Sequence, residues 1–117
     1  MVNGLEDEFW VKVDEFIAAH PIVIDRPQGS AHPRYADFIY PLDYGYLAGT
    51  RAGDGGGIDV WVGALPNKTV TGLVCTVDLL KGDLEMKLLL GCSAAEIQKI
   101  LRVHNHGAHS AIFIERP

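Results

Sequence analysis

Apolar side chains at Leu5, Phe9, Val13, Phe16 and Ile17 are separated by acids and lysine. Steps of three and four put them on one helical face, so residues 5–19 are predicted to form an amphipathic helix. His20-Pro21 should end it, because the residue before a proline is pushed out of the helical region. A short β-branched run, Ile22-Val-Ile24, then leads into Asp25-Arg-Pro-Gln-Gly-Ser30, which is dense in turn formers. That order predicts a strand entering a turn or hairpin. From Ser30 to Asp54, prolines and glycines recur too often for a long element.

The second half is more regular. Ile58-Asp-Val-Trp-Val62, Thr69 to Leu80 and Leu84 to Leu90 are rich in Val, Leu and Thr, with Lys81-Gly82-Asp83 as a turn between the last two. An antiparallel meander is the expectation. Ser93-Ala-Ala-Glu96 is a capping box, since serine and glutamate satisfy the first free amides reciprocally, and a helix of about ten residues should follow it. Ala111-Ile-Phe-Ile114 reads as a closing strand. About five short strands and two helices suggest a mainly β (α+β) domain, a small curled sheet or barrel with helices packed on it.

Composition narrows the class. The chain has 117 residues, 48% hydrophobic and 21% charged, enough for one core, so residues 1–117 are read as a single domain. A net charge of −5 and a pI near 5.4 argue against nucleic acid or an anionic membrane as partner. The acidic N-terminus is unlike a signal peptide, and no apolar run approaches the eighteen or so residues that span a bilayer. A cytoplasmic protein is expected. Cys75 and Cys92 lie in apolar segments without metal-knuckle spacing and read as reduced, buried thiols.

Candidate chemistry gathers in three places. Asp54 and Asp59 flank a triple glycine at the entrance to an apolar strand, where a loop could aim both carboxylates at one point. Hard cations such as Mg²⁺ take such oxygen ligands together with water and phosphate. The same residues also suit a tight turn followed by a solvated strand position. Asp83, Glu85 and Lys87 alternate along one strand and so share a face, which fits metal-bound phosphate or a salt-bridged solvent surface. His104, His106 and His109 could hold Zn²⁺ or Ni²⁺, but equally form a polar loop after the last helix, whose C-terminus favours a partly charged His104.

In order along the chain, Ile24-Asp-Arg-Pro-Gln-Gly-Ser30, Arg34, Tyr40-Pro-Leu-Asp-Tyr-Gly-Tyr46, Gly53-Asp-Gly-Gly-Gly-Ile-Asp-Val60 and the Asp83/Glu85/Lys87 strand form a consistent set. With these segments, from about Ile22 to Leu90, the chain resembles the family I soluble inorganic pyrophosphatases, in particular their short bacterial members. The resemblance implies a five-stranded OB-like barrel with two flanking helices. It further implies hydrolysis of inorganic pyrophosphate by water activated on Mg²⁺ or Mn²⁺. Metal ligation is implied for Asp54, Asp59, Asp83 and Glu85, phosphate contacts for Arg34, Lys87 and Arg26, and a supporting hydroxyl for Tyr44. Bacterial relatives assemble as homo-oligomers, so Phe9, Trp10, Phe16 or the strand around Trp61 could serve as core or as subunit contact.

One departure touches the chemistry. The family signature carries a third acid, which helps deprotonate the attacking water, where this chain has Gly56. The basic and acidic residues that longer members carry before Ile24 are replaced by Pro21 and Val23, and a C-terminal tyrosine-lysine clamp is missing. Asp43 or Asp37 are candidates to replace the lost acid, with Asp59 as the retained catalytic carboxylate. The alternatives are hydrolysis of another phosphoanhydride, or an inactive module that binds a metal-phosphate ligand or a protein.

Overall fold

Helix α1 (Gly4–Ala19) opens the computed structural model, which describes residues 4–117. Its span lies within one residue of the predicted one. The buried stripe, however, is rotated toward Trp10: Trp10 and Val13 are in the core with Ile17 packed against them, while Leu5 is 78% exposed and Phe9 and Phe16 are each 44% exposed. Steps of three and four hold for both stripes, so spacing alone does not choose between them.

Six strands follow: β1 (Ile22–Arg26), β2 (Asp43–Leu47), β3 (Ile58–Val62), β4 (Val70–Asp78), β5 (Asp83–Leu90) and β6 (His109–Glu115), with α2 (Ala94–His104) before the last. They form one sheet in the order β1-β2-β3-β5-β4-β6. The class is α+β as expected, but the five-stranded closed barrel is corrected to an open six-stranded sheet edged by β1 and β6. The extra strand is β2, formed by the tyrosine segment and inserted antiparallel between β1 and β3. The meander is also corrected. β4 and β5 form the predicted hairpin, but it is β5 that joins β3, and it does so in parallel.

Local chemistry explains the elements. Asp78 Oδ1 accepts from the Leu80 and Lys81 amides at 2.9 and 3.1 Å, closing the β4–β5 turn. The capping box forms: Ser93 Oγ accepts from the Glu96 amide at 3.3 Å and Glu96 Oε1 from the Ser93 amide at 2.9 Å.

The sheet separates two cores. Trp10 and Val13 of α1 pack on Leu47, Val60, Leu73 and Leu88, whereas Ile97 and Ile100 of α2 pack with Trp61, Val74 and Leu89 on the other face. Strand alternation produces this directly, since neighbouring residues such as Val60 and Trp61 face opposite sides. Each large side chain so buried stabilises by about 1.5–3 kcal/mol. Trp61 is fully buried on a central strand, so that stretch is core rather than contact surface. Cys75 and Cys92 are free thiols; Cys92 is buried, which pushes its thiol up to about 12, while Cys75 is partly exposed. Among the described residues no helix is long and apolar enough to cross a membrane.

Candidate active site

The residues that share a face with Trp61 converge on one cation. Tyr44 pairs with Trp61 across β2 and β3, Tyr46 with Asp59, and Lys87 precedes Leu89 by two positions on β5. Lys87 is 7% exposed, and its Nζ donates to Tyr44 Oη at 2.8 Å, Asp59 Oδ2 at 3.1 Å and Glu85 Oε2 at 3.2 Å. Burial by itself would depress this ammonium, but the oxygens around it outweigh that effect and hold its pKa above the ordinary lysine value. Burial raises the Tyr44 hydroxyl well beyond the usual phenol range, so it stays protonated while accepting from Lys87. The result is a fixed positive charge at the floor of a cleft.

The remaining predicted acids lie nearby with other partners. Asp54 Oδ1 accepts from the Gly56 amide at 3.0 Å, and that bond is the main reason Asp54 stays below the usual carboxylate range. Asp83 lies 3.4 Å from Lys81, on the same β5 face as Glu85. Asp54, Asp59, Asp83 and Glu85 line one cavity together, yet among the described residues no three His, Cys, Asp or Glu side chains close on a single point. The predicted four-acid metal set is therefore not gathered as a ready-made centre, because Asp59 and Glu85 turn to Lys87 and Asp83 to Lys81. Asp54 and Glu85 are both carboxylates on the wall of that cavity, the oxygen chemistry that hard divalent ions take.

Three predicted residues stand apart from this cluster. Asp43 pairs with Val62 and so faces the opposite side of the sheet from Tyr44, where its Oδ1 accepts from the Gln28 amide at 2.8 Å. It is not placed to replace the acid missing at Gly56. Arg34 is exposed on the loop before β2, where its amide donates to His32 Nδ1 at 3.0 Å. Arg26 pairs with Tyr44 in the β1–β2 ladder, and its Nη1 lies 3.6 Å from Asp25 Oδ2. Neither arginine bonds to the Lys87 cluster.

A second cavity, of about 660 Å³, opens on the α2 side of Lys87 and is lined by Lys81, Asp83, Glu85 and Lys87 with a wall of rings. Sequence reasoning passed over Lys81, which stands at the hairpin turn beside Asp83, and over the aromatic density from His32 to Tyr40. His104 ends α2 as predicted, but it is not partly charged: burial, and then the nearby Lys87, lower its pKa to about 3. Its Nε2 accepts from Trp61 Nε1 at 3.3 Å. His106 and His109 stack at 5.0 Å in the loop that enters β6.

This architecture is similar to that of an inorganic phosphatase from Anaplasma phagocytophilum, at 17% identity over 80% of this chain and 81% of that one, with a TM-score of 0.56. It is likewise similar to an inorganic pyrophosphatase from Neisseria gonorrhoeae, at 22% identity over 78% of this chain and 71% of the other, with a TM-score of 0.54. At such identities the likeness establishes a pyrophosphatase-like fold. Neither a family model nor a curated protein matches the chain.

Proposed function

We propose that the chain is a slow phosphoanhydride hydrolase with inorganic pyrophosphate as its simplest substrate. The observation that carries this reading is the buried, permanently charged Lys87 held by Tyr44, Asp59 and Glu85 at the floor of an open cleft. A divalent ion, Mg²⁺ or Mn²⁺, held by Asp54 and Glu85 would neutralise phosphate charge and acidify a water there. Lys87 attracts phosphate through its charge and exchanges one of its three hydrogen bonds for a phosphate oxygen, and Lys81 supplies a second cation on the same rim. Tyr44 orients the ammonium. Asp59 accepts a proton from the attacking water, and because the Lys87 ion pair and the absence of an acid at Gly56 leave little else to do so, turnover is expected to be slow.

Orthophosphate release from pyrophosphate with Mg²⁺ or Mn²⁺ tests the proposal. Wild type should exceed Asp59→Asn by at least tenfold; equal rates would overturn it. A second reading, binding without turnover, is favoured by Gly56 in place of the acid and by the Lys87 ion pairs already formed. Calorimetry would then show binding of Mg²⁺-pyrophosphate by a protein that releases no orthophosphate.

A further inference from the structure

The cleft beside Lys87 is larger and more aromatic than a bare diphosphate requires. Its volume of about 660 Å³ lies within the range of pockets that hold drug-sized ligands. Pyrophosphate has no apolar surface to offer it, yet the wall running away from Lys87 is built of His32, Tyr35, Phe38, Tyr40 and Tyr44. These rings pack on one another from the rim inward, with Tyr35 exposed, His32 half-buried and Tyr40 buried in the core beneath them. His32 and Tyr40 lie 9° from parallel at 6.3 Å, His32 and Tyr35 are 5.0 Å apart, and Tyr40 and Tyr44 are 5.3 Å apart. Tyr44 ties the wall to the phosphate end, because its hydroxyl is the oxygen that Lys87 grips. At the other end Tyr35 is 55% exposed on the rim, with a face available to a ligand. Desolvation keeps His32 below its ordinary pKa, so the wall presents a neutral ring rather than a cation. Asp37, exposed on the cavity edge, offers a carboxylate acceptor for an exocyclic amino group.

We propose that this cleft takes a nucleoside diphosphate or triphosphate, with the base on the exposed Tyr35 ring backed by His32 and the phosphates at Lys87 and Lys81. The inference rests on the phosphate-site reading above and names its substrate class. Bases stack on aromatic side chains without needing a particular sequence of hydrogen bonds, and one such stack is worth about five- to 150-fold in affinity. The reaction keeps the balance proposed for pyrophosphate: water adds to a phosphorus, its proton passes to a carboxylate that lines this cleft, Glu85 or Asp83, and the phosphoanhydride oxygen leaves with the remaining nucleotide.

The test is calorimetric titration with ADP, adenosine and pyrophosphate, each with Mg²⁺, on wild type, Tyr35→Ala and Tyr35→Phe. ADP should bind at least tenfold tighter than pyrophosphate. Tyr35→Ala should erase that advantage while leaving pyrophosphate affinity unchanged, and Tyr35→Phe should restore it. Equal affinity for ADP and pyrophosphate, or a Tyr35→Ala loss shared by both ligands, overturns the nucleotide reading and leaves the phosphate site intact. If neither phosphate ligand binds, both readings fall together. Tight binding of adenosine with no gain from its phosphates would overturn the role of Lys87 and hence this assignment.

Discussion

Lys87 Nζ lies 2.8 Å from Tyr44 Oη although 43 residues separate them in sequence, and this contact joins β5 to β2 across the intervening strand β3. The same ammonium reaches Asp59 on β3, so three strands meet at one charge. A site of this kind depends on strand register, because a one-residue slip in β5 would send Lys87 to the opposite face.

Removal of Lys87 should therefore cost more than removal of the tyrosine hydroxyl. Lys87→Met leaves Asp59 and Glu85 facing each other without their cation. Breaking a fully buried pair costs about 3–5 kcal/mol. The Asp59 and Glu85 side chains keep 30% and 22% of their exposure, so solvent screening reduces the expected loss to about 1–3 kcal/mol. Tyr44→Phe leaves Lys87 with both carboxylates and forfeits one charge-assisted hydrogen bond of three, about 1.5 kcal/mol, the low end for a bond to a charged group. Urea midpoints at constant slope measure both, and a Tyr44→Phe loss equal to or larger than that of Lys87→Met would contradict the assignment.

His104 predicts a pH dependence. Its pKa falls from 6.5 in the unfolded chain to about 3 in the fold, chiefly through burial. Above pH 6.5 both states are neutral at this site and stability does not vary on its account. Between pH 6.5 and 3 the unfolded state takes up a proton that the native state refuses, so stability falls as pH falls, by up to about 1.4 kcal/mol per unit. His104→Gln, which keeps an acceptor for Trp61, should flatten the profile from pH 6.5 to 4.5 relative to wild type. Parallel profiles in urea titrations at several pH values would refute the effect.

Most elements were legible because their periodicity was local. The capping box of Ser93 and Glu96, the alternation of Asp83, Glu85 and Lys87, and the β4–β5 turn each depend on residues within a few positions of one another. Strand β2 was not legible, since Pro41 and Gly45 read as punctuation when Gly45 is in fact demanded by packing against β1. Missing β2 hid its alternation, and with it the fact that Asp43 and Tyr44 face opposite ways. The open sheet was equally out of reach, because the β3–β5 parallel pairing is a non-local choice that no window of sequence records.

Gly45→Ala tests that packing. A Cβ at this position would run into the Val23 carbonyl and lie 2.9 Å from Ile24 Cα, both backbone atoms of β1 that no rotamer change can move. The substitution should separate β1 from β2 and cost more than about 3 kcal/mol, among the larger effects of a single substitution. Hydrogen exchange should show β1 amides losing protection first; wild-type protection and an unchanged urea midpoint would refute the constraint.

Gly56→Asp addresses the chemistry. A Cβ at Gly56 meets only Asp54, with Oδ1 at 3.5 Å and Oδ2 at 4.0 Å, which is ordinary contact. Its φ is not in the left-handed region, so backbone strain is not expected to oppose the change. The new carboxylate would stand beside Asp54, which lines one cavity together with Asp59. A general base typically contributes about 10²–10⁴ in rate. If slow turnover reflects the missing base, Gly56→Asp should raise orthophosphate release from pyrophosphate by about that factor with little change in the urea midpoint, since like-charge repulsion at an exposed loop is weak. An unchanged rate in an active wild type would mean that Asp59 already suffices. No release from either protein would leave the cleft as a binding site and remove the hydrolase reading.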